Sequence, residues 1–389
     1  MEWRCIVLVP TLRFGAETEA LRRELRGWLA AHEPPPPPSE YRERIQALIR
    51  WQAALHEAGF IGMSWPREYG GRGLTLAAEA VLVEELARVG MAELINRLAL
   101  YTCAPTLLAL GTPGQCARFL PGMRDASEIW CQGFSEPDAG SDLAAVRTLG
   151  TVDGDQISIS GQKVWTSRAD ISKWALTLIR TDPQASGRDG LSVVVVDMHH
   201  PGVTVRPLPQ MLNEPHFAEV FFDDVRVPLD HVIGELGGGW QVAMSTMGHE
   251  RGLFVIERRA RLRRKLDELV AALRRRDRVD VALAELGRSY ALLSVLQAQG
   301  YRTLGSQIED SIRPGATSVD KLLLAEADQG LFGCAYDVLG DESGWAFDEW
   351  THGLLESRSV SIYSGTSEIQ RNIIARQLLG LRTDQRRVA

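Results

Sequence analysis

The spacing of apolar residues changes twice along this 389-residue chain, and those two changes fix the fold class it can adopt. In the first third, apolar residues recur at helical spacing: Leu21, Leu25, Trp28 and Leu29 on one face, then Ile45, Leu48, Ile49 and Leu55 on another. Helices are predicted over 17–32, 41–58, 76–89, 93–110 and 115–120, with Pro34 to Pro38 as an extended break. Near Ile129 the period falls to two. Gln156-Ile157-Ser158-Ile159-Ser160 alternates strictly, and Val152-Asp153-Gly154-Asp155 before it reads as a hairpin turn. Further strands are predicted over 173–180, 191–197, 203–208 and 218–225. After Gly237-Gly238-Gly239 helical spacing returns, over 240–273 as one helix or two joined, then 282–305, 317–339 and a final helix. Helices, an antiparallel sheet and helices again define an α+β chain with segregated layers. The expected units are 14–125, 126–236 and 237–385, with no internal repeat.

Composition excludes several function classes. Hydrophobic residues make up 45%, which suits a packed globular chain rather than a disordered one. A net charge of −7 argues against a nucleic-acid binder. The five cysteines, Cys5, Cys103, Cys116, Cys131 and Cys334, have neither metal-ligand nor disulfide-framework spacing. The apolar run from Cys5 to Pro10 is too short for a signal sequence, and no stretch is long enough to span a membrane, so a reducing, cytoplasmic setting is expected.

Four stretches carry candidate chemistry. Ser361-Ile362-Tyr363-Ser364-Gly365-Thr366-Ser367-Glu368-Ile369-Gln370-Arg371 reads as a turn at Gly365 delivering the chain onto a helix. Ser367 and Gln370 have capping-box spacing, Ile369, Ile373, Ile374 and Leu378 continue as a stripe, and Gly380 stops the helix. Such a helix start suits an anionic ligand such as a pyrophosphate. Trp130-Cys131-Gln132-Gly133-Phe134-Ser135-Glu136-Pro137-Asp138-Ala139-Gly140-Ser141-Asp142 reads as a strand leaving into a loop rich in donors. Lys163-Val164-Trp165-Thr166-Ser167 places an indole directly before two hydroxyls; read from the residues alone, Trp165 is as readily a sheet-core aromatic. Glu250 shares a helix arc with Ala243, Met247 and Phe254, which puts a carboxylate on an apolar face. It reads either as an Arg-paired structural glutamate or as a base. His199-His200 and the basic clusters 258–265 and 274–278 read as solvated surface.

Taken together, these stretches, with Trp65-Pro66-Arg67-Glu68-Tyr69-Gly70-Gly71-Arg72-Gly73, resemble the signatures of the acyl-CoA dehydrogenase family over residues 14–381. The resemblance implies an N-terminal helical domain, a central antiparallel β domain and a C-terminal domain like a four-helix bundle. It implies FAD as cofactor, held by Phe134, Ser135, Ser141, Trp165, Ser167, Thr366 and Glu368. It implies desaturation of an acyl thioester, of CoA or of a carrier protein, between Cα and Cβ, with electrons leaving through an electron-transfer flavoprotein. Many members carry the catalytic base directly after the tyrosine, where this chain has Ser364. Others place it on the long helix before an arginine, which Glu250 and Arg251 match. The Ser364 N–H would then polarise the thioester carbonyl. Two segments depart from the family pattern: 301–317, which retains only Arg302 and Gly305 of an R-x-x-F-G segment, and 337–343. A homo- or hetero-oligomer is expected. The rivals are a flavin oxygenase on the same fold and an FAD-binding partner subunit of a mixed assembly.

Overall fold

The helical spacing of the first third becomes α1 (Ala16–Ala31), α2 (Tyr41–Glu57), α3 (Leu76–Arg88), α4 (Ala104–Leu110) and α5 (Pro113–Arg124). The computed structural model describes residues 14–34, 40–90, 93–212, 216–339 and 349–381. Most of the proline break, the 340–343 part of the altered 337–343 segment, and the side chains of Glu250 and Arg251 lie outside the described residues. Thr112 starts α5 with a full capping box to Gln115, and Pro113 sits in the first turn, where no N–H is needed. The helix expected from residue 93 begins only at Arg97 and enters α4 through a π-helical turn, Ala99–Cys103. Asn96 explains the delay. Its buried amide donates to Met123 O and Glu128 O, and its oxygen accepts the Trp130 N–H. Those bonds fix 93–96 as a connector to the sheet.

The middle third is one mixed sheet: β1 (Trp130–Gly133), β2 (Leu149–Asp153), β3 (Gln156–Ser167), β4 (Trp174–Arg180), β5 (Leu191–Asp197), β6 (Val203–Pro207), β7 (Phe217–Pro228) and β8 (Val232–Ile233). Its order is β6-β7-β3-β2-β4-β5-β8, with β1 on β4. Pairing is antiparallel except where β1 and the first residue of β2 meet β4 in parallel. The predicted hairpin turn is present, with Gly154 at φ +63. One sheet face packs on the N-terminal helices through Phe119, Trp130 and Trp174, whose rings meet edge to face or tilted.

The last third is α6 (Gly239–Arg275), α7 (Leu283–Ile308), α8 (Ala316–Leu339), α9 (Glu349–Val360) and α10 (Ser367–Ile373). The long helix is single and ends at Arg275, so the connection after it is 276–282. Tyr301 to Ile308, the first part of the altered 301–317 segment, forms the last two turns of α7, so the helix predicted over 282–305 extends three residues further. The α9 helix has no clear apolar stripe, and spacing did not predict it. Among the described residues no helix is long and apolar enough to cross a membrane.

An ion-pair network fastens the first helices to one another and to the last domain. Glu85 on α3, 1% exposed, accepts from Arg22 and Arg26 of α1 and from Arg88. The adjacent Glu84 pairs with Arg22 and with Arg259 of α6, and takes the Tyr301 hydroxyl of α7. Burial pushes the Glu85 carboxyl up, but hydrogen bonds from Arg26, Arg22 and Arg88 outweigh it and bring it down to about 2. A carboxyl depressed in the folded state stabilises above its ordinary 4.5, and that contribution disappears as pH falls through 4.5 toward 2. Glu85→Gln is expected to lower the unfolding free energy near neutral pH by about 3–5 kcal/mol, because three guanidinium groups lose a charged partner. Urea titrations of parent and variant should converge as the pH is lowered through that window.

Candidate active site

Three elements from three domains build the site. The first is the end of β3. Lys163 is fully buried, and its ammonium donates to Glu136 Oε1 at 2.8 Å and to Phe134 O at 3.3 Å. Glu136 also accepts the Arg147 and Thr148 N–H groups, while Val164 N–H donates to Ser135 O. The 134–136 loop is therefore stitched to the strand from both sides. Burial lowers the Lys163 ammonium to about 8. Burial also works against Glu136, yet Lys163 and the donors around it hold that carboxyl below its ordinary value.

The pairing of β3 with β7 slips between Lys163 and Thr166. In that bulge Trp165 takes φ +59, a left-handed conformation that a bulky residue adopts only when its surroundings enforce it. The indole stands 59% exposed, touching Phe217 edge-on at 6.0 Å. The sheet-core alternative is thereby corrected: the bulge turns Trp165 out of the sheet instead of into it. Thr166 beside it is buried, and its hydroxyl has no hydrogen-bond partner among the described residues. Ser135 and Ser167 are half-buried, Phe134 is buried, and Ser141 is exposed.

The second element begins one residue later. Arg168, also left-handed at φ +57, donates to Ile95 O at 2.9 Å and pairs with Glu93. Glu93 in turn pairs with Arg97 at 2.9 Å. The Arg97 guanidinium lies 4.8 Å from the Phe254 ring centroid, and Phe254 meets Tyr363 edge-on at 6.0 Å. Lys321 covers Tyr363 at 4.4 Å and donates to Val360 O. This chain joins the β3 end, the 93–97 connector, α6 and the C-terminal turn. Spacing gave no sign of Glu93, Arg97 or Arg168; an arginine within one residue of the Trp-Thr-Ser segment was the available clue.

The third element is the turn after Tyr363. Ser364 (φ +53) and Gly365 (φ +88) are consecutive left-handed residues. The Gln370 amide reaches back and donates to Ser364 O at 2.9 Å and Gly365 O at 3.3 Å. The expected cap is corrected by one residue: Thr366, not Ser367, is the N-cap, accepting the Ile369 N–H. Gln370 serves the turn and not a capping box. Glu368 is exposed and pairs with Arg371 at 3.4 Å. The 250–251 pair lies on α6, with residue 250 about one turn before Phe254. Among the described residues no group of His, Cys, Asp or Glu could hold a metal ion.

An exposed indole held in an unfavourable backbone conformation, an orphaned buried hydroxyl next to it and a loop of half-buried donors fit a planar, heteroatom-edged ring. The family comparisons agree with this geometry. Models described as "Acyl-CoA dehydrogenase, N-terminal domain", "middle domain" and "C-terminal domain" match residues 15–127, 131–225 and 237–379. The chain belongs to the acyl-CoA dehydrogenase family, flavoprotein oxidoreductases that act on CH–CH bonds. It is 40% identical over 380 residues to acyl-CoA dehydrogenase IpdE1 of Mycobacterium tuberculosis (strain ATCC 25618 / H37Rv), covering 94% of this chain and 98% of that one. Its fold is similar to the Tcur3481-Tcur3483 steroid ACAD, at TM-score 0.85 and 25% identity, over 96% of this chain and 99% of that one. It is also similar to a chain of the ChsE4-ChsE5 complex from Mycobacterium tuberculosis, at TM-score 0.83 and 27% identity, with the same coverage.

Lys163→Met is expected to lower stability by about 3–5 kcal/mol, since it leaves the Glu136 carboxylate buried without its cation. Denaturant unfolding at neutral pH measures the loss. The double variant Lys163→Met, Glu136→Gln should recover part of it.

Proposed function

We propose that this protein catalyses the FAD-dependent α,β-dehydrogenation of an acyl thioester. The observation that carries the reading is the pairing of an outward-held Trp165 with a fixed Tyr363–Ser364–Gly365 turn, joined through Arg168, Glu93, Arg97 and Phe254. When bound, FAD would supply the acceptor for the β-hydride. Phe134, Ser135, Ser141, Trp165, Ser167, Thr366 and Glu368 are the residues we assign to holding it.

The chain's own contribution is proton removal and charge placement. An α-C–H is a weak acid, so the thioester carbonyl must be polarised as the proton leaves. The Ser364 N–H is assigned to that oxygen; the two hydrogen bonds from Gln370 fix the peptide planes of the turn before substrate arrives. Glu250 is assigned as the base and Arg251 as its neighbouring cation. A serine hydroxyl at position 364 cannot serve, because it holds its proton at neutral pH. The Phe254–Tyr363 ring pair is assigned to the apolar side of the site.

The name of one matched structure contains "steroid", which supports a bulky alicyclic acyl group here. An electron-transfer flavoprotein is the assigned electron acceptor. A second reading, assembly with a related partner chain, is favoured by the two-component name of the ChsE4-ChsE5 complex and by the altered 337–343 segment.

Glu250→Gln keeps shape and polarity but cannot accept the α-proton. It is expected to retain flavin and bind thioester, while the rate of flavin bleaching in anaerobic stopped flow falls by about 10² or more. Parent-rate bleaching in the variant would remove Glu250 from this role. Trp165→Ala should lose flavin on gel filtration more readily than the parent; equal retention would show that the indole does not contact the cofactor.

A further inference from the structure

Among the described residues, the ion-pair chain beside the C-terminal turn carries one more guanidinium than carboxylate. Arg168, Glu93, Arg97, Glu257 and Arg261 alternate in space: Arg168 on Glu93, Arg97 on Glu93 at 2.9 Å, Arg97 toward Glu257 at 3.7 Å, and Arg261 on Glu257 at 2.7 Å. Three guanidinium groups thus face two carboxylates. Next along α6, Arg258 is already matched by Asp328 and Glu356, so it draws no charge from this row.

Arg97 occupies the middle of the row and remains available. Both of its ion pairs use Nη1, and its Nε and Nη2 have no hydrogen-bond partner among the described residues. A third of its side chain, 32%, is exposed, although it is clamped between two carboxylates and the face of Phe254. That ring is the neighbour of Tyr363, the residue before the Ser364 turn. A fixed, half-desolvated guanidinium with a free edge is built for a planar two-oxygen anion. An unfunctionalised hydrocarbon there would leave those N–H groups dry and unpaired, which costs more than its own burial returns.

We propose that Arg97 is a specificity-determining residue that receives a carboxylate on the acyl group, so that the substrate class is the CoA monothioesters of dicarboxylic acids, alicyclic ones included. This rests on the thioester dehydrogenase reading above. Glu93 keeps Arg168 as a partner when Arg97 is replaced, and Arg168 also holds Ile95 O, so the 93–97 connector has a second anchor.

The test uses FAD-loaded full-length protein and two series of CoA thioesters, straight-chain dicarboxylic monothioesters and monocarboxylic ones of matched carbon number, with the corresponding terminal methyl-ketone acyl-CoA as a neutral control. Dissociation constants come from anaerobic calorimetry, and turnover from flavin bleaching. At one chain length the dicarboxylic thioester should bind about 10- to 100-fold tighter than its matched partner, the scale of a charge-assisted hydrogen bond. In Arg97→Gln the ratio should fall to within about threefold. Arg97→Lys, which keeps the charge and loses the fork, should lie between and guards against a fold defect in the first variant; melting temperatures are recorded for both. No preference at any chain length, a preference that survives Arg97→Gln, or a methyl ketone bound as tightly as the carboxylate would overturn the proposal. Absence of bleaching with every thioester would count against the dehydrogenase reading, while the binding ratios would still decide the role of Arg97.

Discussion

The Arg168–Glu93–Arg97 row is the constraint on which the site depends. Each of its three charges comes from a connection and not from the middle of a regular element, so nothing local would hold them together. Arg168 follows the β3 bulge, Glu93 lies in the connector to α4, and Arg97 begins the helical run. Partial burial makes their mutual attraction larger than that of surface pairs, and burial also makes any misplacement costly. Once the row forms, the sheet, the N-terminal helices and α6 have a fixed relation. Phe254 then presents a ring to Arg97 on one side and to Tyr363 on the other.

Three left-handed backbone positions lie at the same place. Trp165, Arg168 and Ser364 all have positive φ without being glycine. Such conformations persist when neighbouring bonds over-determine them. Here the neighbours are identifiable: the Lys163–Glu136 pair and Val164–Ser135 bond before Trp165, the Glu93 and Ile95 contacts at Arg168, and the Gln370 amide after Ser364. A site in which the indole and the Ser364 turn are already held needs little reorganisation when ligand binds, which is the condition for electrostatic catalysis.

The surrounding architecture is built to be rigid where this matters. The Glu84–Glu85 network joins α1, α3, α6 and α7, and α6 also carries Phe254 of the site. The turn itself rests on α8 through Lys321, whose ammonium reaches Val360 O beneath Tyr363.

By itself the sequence determined the order helices, sheet, helices, the limits of β4, β5 and β6 to within a residue, and the family, because these depend on periodicity and on motifs contiguous in the chain. It also placed the turn at Gly365, since only a residue without Cβ takes φ +88 readily. The tertiary structure decided the rest. It moved the helix cap to Thr366 and gave Gln370 to the turn, because a side-chain amide chooses between partners that are equally near in sequence. It delayed the helix to Arg97, because Asn96 bonds to residues 27 to 34 positions away. It turned Trp165 outward through a one-residue slip in register that alternation cannot reveal. And it assembled Glu93, Arg97, Phe254 and Tyr363 from positions up to 270 residues apart, where long-range attraction between buried charges and rings leaves no local pattern to read.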